Sequence, residues 1–308
     1  MALLAGTCYD PSSAATKATS SLLALTALDT TNLRHTITAP ANGIVMARLA
    51  TCLHGAVDQP AVLLGVLDGS TVRGRQVPVI AGRPAGNASG KVGIECLFPI
   101  TGLTPSNSYT LDAAYAVEAI IASTNIKYGG PNNTTSNDAW GGFCYEIWEA
   151  KNLLAAKMYD PSTAASHATS SLTAMTALDT TNLRNTFTTA ASGPGSTSVL
   201  VRIRGGSYQG ATGTPGVLFG VLDGSTVKGR VPHNLGGQSI NGTATTTMQR
   251  AVNAAFVVTG LTANTSYTWD LAMSVDFVVA SSTFRYGGPN NTTADDCWGG
   301  LAYEIWKA

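Results

Sequence analysis

The chain has 308 residues, room for about two domains of roughly 150 each, and its 18 Lys plus Arg balance 18 Asp plus Glu to zero formal charge. No basic run offers the clustered cations from which nucleic-acid affinity arises; no stretch reaches the roughly 20 apolar residues of a membrane helix; and the opening MALLAGTCYDP lacks the basic start and apolar length of a secretory signal. Charged residues make up only 12 %, about half the usual share, and Ala, Gly, Ser and Thr replace them, which leaves a surface that sheds little hydration on meeting another protein and so favours assembly.

In chain order, Leu22, Leu25 and Leu28 recur at a spacing of three, which fits a short helix or irregular backbone. Strands are predicted at LRHTIT (33–38), GIVMARLATCL (43–53), AVLLGVL (61–67) and KVGIECLFPI (91–100). Turn signals separate them at 40–43, at Asp68 and Gly69, and at 102–105. Tyr109, Leu111, Ala113, Tyr115 and Val117 then alternate with smaller or polar residues, the pattern of a strand with one face in a core. Another strand ends at Tyr128. YGGPNNTTSNDAWGG (128–142) interrupts, and GFCYEIW (142–148) follows with Phe143, Tyr145 and Ile147 on one face. EAKNLLAAKM (149–158) holds neither Gly nor Pro and reads as a short, stiff linker keeping two domains close and fixed.

Beyond it the chain repeats itself. Residues 9–36 align with 159–186 at an offset of 150, with 22 of 28 positions identical. Residues 60–75 match 215–230, residues 101–112 match 259–270, and YEIW at 145–148 returns at 303–306. Two domains follow, 1–150 and 151–308. The growing offset puts insertions around AASGPGSTS (190–198) and in 231–250, composition typical of surface loops. In the second unit Tyr267, Trp269, Leu271, Met273, Val275 and Phe277 alternate with Thr268, Asp270, Ala272, Ser274 and Asp276, which are expected to face solvent. Eleven extended residues span about 35 Å, long enough to predict a bulge or bend.

Many short strands, turns between them and no recurring helical pattern give an all-β chain of β-sandwiches. GLTPSNSY (102–109) resembles the corner of fibronectin type III domains, where a Leu and a Tyr six apart lock a turn. That fold needs about 100 residues. Units half as large again fit an eight-stranded jelly roll better. The predicted fold is therefore two tandem jelly-roll β-sandwich domains related by internal duplication.

The duplication also weighs the candidate chemistry. Cys8 aligns with Met158, Cys96 with Ala254, Cys144 with Ala302, Cys297 with Ala139, and Cys52 meets a Gly/Ser stretch. No cysteine is shared and no C-x-x-C occurs, so the thiols read as free and mostly buried, with a Cys8–Cys144 bridge between first and last strands as the alternative. His35 aligns with Asn185 and His167 with Lys17, and these two, His54 and His233 lack zinc-ligand spacing. No nucleophile elbow, phosphate loop or dinucleotide motif appears. Asp68 and Asp223 read as Asp-Gly turns, and Glu146 and Glu304 as solvent-face strand residues. No catalytic residue, metal or cofactor is expected, and the protein reads as no enzyme.

The repeated Asn- and Gly-rich stretch is the one candidate site. Its residues are Tyr128, Asn132, Asn133 and Trp140 in the first copy and Tyr286, Asn290, Asn291 and Trp298 in the second. One reading is a duplicated turn that the fold requires, in which Gly129 and Gly130 redirect the chain, Thr134 and Thr135 bond back to it, and Trp140 and Trp298 cover the end of a core. A second is a protein-contact loop. A third is a glycan or Ca²⁺ site, for which Asp138, Asp295 and Asp296 supply few oxygens. The glycosylation pattern at Asn132, Asn133, Asn290 and Asn291 matters only in a secreted eukaryotic protein.

LDTTNLRHTITAPANGIVMARL (28–49) resembles the segment of C1q/TNF-like jelly rolls in which a strand ends at a Pro-Ala turn and a Gly-Val-type strand follows. The order GVLDGSTVRG, ITGLTPSNSYTLD and terminal YEIW is similar to that of jelly-roll modules in decoration or minor tail proteins of tailed bacteriophages, and covers both units nearly end to end. The resemblance implies trimer-forming virion components without catalytic residues. The tandem doubling departs from a single-module protein, since three copies would show six modules. The leading expectation is a capsid decoration or cement protein on the outer capsid surface of a tailed phage. It would be a homo-oligomer, with a trimer favoured, and its partners would be the major capsid protein or other virion proteins. The alternatives are a minor tail or fibre protein that binds host-surface glycan and, more remotely, a double jelly-roll capsid protein, against which the close similarity of the units speaks.

Overall fold

The computed structural model describes residues 2–18, 24–55, 62–76, 90–117, 125–130, 141–161, 165–168, 174–209, 217–232, 248–275, 283–288 and 299–308. Among them every regular element is a strand. They divide into two compact units, one ending at Lys151 and the next starting at Asn152.

Unit one holds β1 (Ala2–Tyr9), β2 (Ala15–Ala18), β3 (Thr26–Ala27), β4 (Arg34–Thr38), β5 (Val45–Gly55), β6 (Val62–Asp68), β7 (Thr71–Gln76), β8 (Gly90–Ile100), β9 (Ser108–Val117), β10 (Asn125–Tyr128) and β11 (Phe143–Glu149). One sheet runs β1-β11-β5-β8 and the other β4-β9-β6-β7. Counting only these eight longer strands, the orders are first-eighth-third-sixth and second-seventh-fourth-fifth, the jelly-roll arrangement. Three short strands complete the sheets. β10 takes over the edge of β5 beyond the end of β11, β2 pairs with β10, and β3 extends the β4 edge of β9.

Unit two repeats this with β12 (Leu153–Tyr159), β13 (Ala165–Ala168), β14 (Thr176–Ala177), β15 (Arg184–Thr188), β16 (Ser198–Gln209), β17 (Val217–Asp223), β18 (Thr226–Pro232), β19 (Met248–Thr259), β20 (Ser266–Val275), β21 (Thr283–Tyr286) and β22 (Leu301–Lys307). Its sheets are β12-β22-β16-β19 and β15-β20-β17-β18. The chain is thus all-β, with two β-sandwich domains.

The period of two sets the register. On β11, Phe143, Tyr145 and Ile147 point into the sandwich and are fully buried, and Tyr145 and Ile147 stand opposite Leu49 and Ala47 of β5. Burying each large apolar side chain stabilises the fold by about 1.5–3 kcal/mol. A one-residue slip would turn the whole set outward. In unit two, Val201, Phe219, Leu271, Met273, Tyr303 and Ile305 fill the same space. The corner foreseen at GLTPSNSY is present in both units. The Thr104 amide donates to the Tyr109 hydroxyl at 2.8 Å and the Thr262 amide to Tyr267 at 2.9 Å, over buried Leu103 and Leu261.

Five local expectations need correction. The segment 149–158 is not a separate linker: Glu149 ends β11 and Leu153 begins β12, leaving 150–152 as the connection. Of the helix and the irregular backbone expected at Leu25 and Leu28, the helix does not form: both are buried in otherwise irregular chain beside the two-residue strand β3, because β9 offers an unpaired edge there; Leu22 lies outside the described residues. β20 pairs without a register break along 266–275, and the bulges of unit one fall in β1 between Leu3 and Ala5 and in β7 at Arg73, which is the extra residue opposite Val66 and Leu67 of β6. Asp270, Ala272 and Ser274 are buried, not solvated. Met175, Leu222 and Ala272 cluster on that outer face, and Arg184 covers Asp270 with two hydrogen bonds of 2.7 and 2.8 Å. Finally, Cys96 is the only buried thiol among the described cysteines; Cys8 is exposed, and Cys52 and Cys144 are half-buried.

A glycine makes room for that outer cover. In unit one Gly65 stands opposite Ala114 on the outer face of β6, and a Cβ there would fall 2.6 Å from Leu25 and 2.7 Å from the Gly74 carbonyl. The repeated GVLDG stretch thus carries a shallow trough for the residue at position 25 or 175.

Candidate functional site

The repeated stretch leaves the sandwich at Tyr128 and returns at Gly141, and its base is built from three segments. Tyr128 is 1 % exposed, packs edge-on against Phe143 at 5.9 Å and donates a 2.9 Å hydrogen bond to the Leu28 carbonyl. Gly129 and Gly130 then adopt φ of 73° and 131°, where a side chain is strained. They also lie against the exit of β1, where a Cβ on Gly129 would stand 2.6 Å from the Tyr9 ring and one on Gly130 2.5 Å from the Pro11 carbonyl. At the returning end Gly141 has φ 91°, and Gly142 lies against Cys8 and Asp10.

The Leu28 carbonyl is itself held still. The next residue, Asp29, accepts hydrogen bonds from the Thr31 amide at 2.8 Å, the Asn32 amide at 2.9 Å and the Asn32 side chain at 2.8 Å. Such an Asx turn uses the carboxylate to organise backbone. Burial alone would raise the Asp29 carboxyl, but the Asn32 and Thr31 hydrogen bonds prevail and hold it below its ordinary range. Unit two repeats these hydrogen bonds. Tyr286 is 2 % exposed and donates to the Leu178 carbonyl at 2.7 Å, and Asp179 accepts from Thr181 and Asn182 at 2.8 Å.

Tyr128 and Tyr286 are therefore buried ties at the start of each repeated stretch and present no surface to a partner. Asn132, Asn133, Trp140, Asn290, Asn291 and Trp298 lie outside the described residues. Sequence reasoning missed Tyr9, Pro11 and Leu28 with their counterparts Tyr159, Pro161 and Leu178. The signal was available, since all three pairs fall in the most closely matching block of the repeat.

The phenols of this base are chemically quiet. Burial first, and the Asp29 charge second, push the Tyr128 hydroxyl well above its ordinary value, and the same two causes raise Tyr9. Burial and Asp179 do the same to Tyr286 and Tyr159. A neutral, hydrogen-bonded phenol is a strut, not a base.

The two YEIW carboxylates have diverged. Glu146 accepts from Arg48 at 2.8 Å and from the Trp148 indole at 2.8 Å, while Arg48 also binds Glu95 at 2.7 Å. Glu304 keeps only the indole bond, from Trp306 at 2.7 Å. Its Oε1 is buried without a partner, and the guanidinium of Arg202 lies 6.0 Å over the Trp306 ring. Glu304 was expected on a solvent face and is instead 0 % exposed, against 20 % for the Glu146 side chain. Burial pushes its carboxyl up to about 7, against the smaller downward pull of the Trp306 bond and Arg202. No group of three or more His, Cys, Asp or Glu among the described residues could hold a metal ion. His35 donates from Nε2 to the Tyr145 carbonyl at 3.0 Å, and its counterpart Asn185 donates to Tyr303 at 3.1 Å. Both are ties across the sandwich, since a carbonyl can only accept.

No protein-family model and no curated protein matches the chain. Among solved structures it is similar to the VP2 subviral particle of infectious bursal disease virus, at 6 % identity and TM-score 0.26, covering 89 % of this chain and 75 % of that one. It is also similar to the mosquito-larvicidal Cry4Aa toxin of Bacillus thuringiensis, at 8 % identity and TM-score 0.22, covering 87 % of this chain and 53 % of the toxin. Likenesses this slight carry no argument about function, and no comparison supports the expected resemblance to C1q/TNF-like phage modules.

Proposed function

We propose that this protein is a structural component of a tailed-phage virion, docked on the outer capsid surface as a decoration or cement protein, and that it works by binding rather than catalysis. The observation that carries this reading is the repetition of the hydrogen bonds and glycine turns at the loop base. Two units, divergent in their cysteines and in the setting of Glu146 and Glu304, keep the same tyrosine strut, glycine pair and Asx turn at the start of the repeated stretch. Repeated support at the start of a repeated sequence stretch favours a part that is used twice. A chain with only 12 % charged residues supports the same reading, because little hydration is lost on docking.

The mechanism is multivalency. One chain brings two copies of the repeated stretch to neighbouring capsid subunits, so the second contact forms at high effective concentration without a strong single contact. A homo-oligomer, with a trimer favoured, would multiply the effect.

The test mixes purified protein with expanded capsids that lack it. Saturable binding, with capsids then surviving heating that ruptures undecorated ones, supports the proposal. Failure to bind capsids, or binding that leaves their rupture temperature unchanged, overturns it. Binding to host-surface glycans on an array without capsid binding would replace it with a tail role. Native mass spectrometry reads the oligomer directly.

A further inference from the structure

Cys8 and Cys144 face each other as register partners on β1 and β11, with sulfurs 2.9 Å apart. Both thiols are free, Cys8 exposed and Cys144 half-buried. Antiparallel partners hold their Cα atoms about 4.5–5.5 Å apart, inside the span of a disulfide, so closure needs sulfur movement and little backbone movement. Gly142 leaves the room, since a Cβ there would stand 2.7 Å from the Cys8 sulfur. The same positions in unit two are Met158 and Ala302, paired in the same register. The fold thus needs no cysteine at either place, and the pair is an addition to unit one.

We infer that Cys8 and Cys144 form a thiol–disulfide exchange site, which takes small disulfides of the glutathione type and closes to an intrachain bond joining the first strand of unit one to its last. The Cys8 thiolate attacks one sulfur of the oxidant and releases one thiolate, leaving a mixed disulfide. Cys144 then gives up its proton and attacks the Cys8 sulfur, and a second thiolate leaves. Two protein thiols are oxidised to one disulfide, the oxidant is reduced to two small thiols, and the two protons end on them. The order follows from the surroundings. Cys8 is the reachable sulfur, while burial, and then the hydrogen bond to Cys8, push the Cys144 thiol up to about 11.

The bond would tie residues 136 apart and pin an edge strand whose Leu3 is 53 % exposed. It would also fix Cys8 directly before Tyr9, the ring on which Gly129 rests. Reducing cytosol keeps such a pair open and an oxidising exterior closes it, so the lock would form after the protein leaves a reducing compartment. None of this depends on the virion reading.

The experiment incubates the full chain with glutathione disulfide under argon, blocks remaining thiols with N-ethylmaleimide, and maps unreduced peptides by mass spectrometry. The expected result is the Cys8 peptide joined to the Cys144 peptide, with a melting transition raised by roughly 10 °C and restored by dithiothreitol. Cys144→Ala should stop at a glutathione adduct on Cys8. The double variant Cys8→Met/Cys144→Ala, which copies the pair of unit two, should fold and show no oxidant-dependent shift. Recovery of both wild-type cysteines alkylated, a persistent glutathione adduct in the wild type, a chain-to-chain link through Cys8, or an equal shift in the double variant would each overturn the inference.

Discussion

The hydroxyl of Tyr128 reaches the carbonyl of Leu28 across the end of one sandwich, and Tyr286 repeats the bond to Leu178 in the other. Each bond ties the start of the Asn- and Gly-rich loop to the turn before β4 or β15. Replacing either tyrosine by phenylalanine keeps the ring packing but leaves a buried carbonyl without its donor. Tyr128→Phe and Tyr286→Phe should each cost about 1–3 kcal/mol in urea unfolding.

A second tyrosine pair should respond in the opposite sense. Tyr145 and Tyr303 also point into the core, yet their hydroxyls are buried with no hydrogen-bond partner. Tyr145→Phe or Tyr303→Phe removes a desolvated group that gains nothing. Stability should rise by about 1 kcal/mol, measured in the same urea titration.

Gly129 tests the loop base from the backbone side. Its φ of 73° and the Tyr9 ring beneath it both resist a side chain. Gly129→Ala should cost on the order of 2 kcal/mol, and limited proteolysis should cut the variant faster within 131–140. Equal stability and equal cleavage would remove the turn from the account.

Glu304 predicts a pH dependence. Its carboxyl stands at about 7 in the fold against an ordinary 4.5, so folding favours the protonated form. A raised carboxyl contributes stability fully below about pH 4.5, and that contribution fades as pH rises towards 7. The wild type should lose on the order of 3 kcal/mol between pH 4.5 and pH 8 relative to Glu304→Gln, which cannot ionise. Unfolding curves at a series of pH values would show it as a slope that the variant lacks.

His35 and Asn185 supply an internal substitution experiment. Both donate to the backbone of the YEIW strand of their unit. His35→Asn should stay within about 0.5 kcal/mol of wild type. His35→Ala, which also loses the ring packed 4.7 Å from Tyr145, should cost about 1–2 kcal/mol by thermal unfolding.

Much of this architecture was legible beforehand because strand structure is written locally. Alternation marked the strands around Tyr109, Phe143 and Trp269, and the Leu-to-Tyr corner at 103–109 announced its own hydrogen bond. β7 and the short strands β2 and β3 were not legible, since their pattern is weak and they form only where a neighbour leaves an edge open. The loop base was half legible. Glycines 129 and 130 read as a sharp turn, but nothing near Tyr128 in the chain says that its partner is Leu28, a hundred residues away.

By itself the sequence determined the duplication, the all-β class and the inward face of the strands around Tyr109, Phe143 and Trp269, because a period of two needs only neighbours along the chain. The tertiary structure alone decided what covers the other face. It buried Asp270 under Arg184, buried Glu304 where Glu146 keeps its arginine, turned Tyr128 into a strut and brought Cys8 to Cys144. Each of these depends on segments distant in sequence meeting in space, and burial, the quantity that sets their chemistry, exists only once they have met.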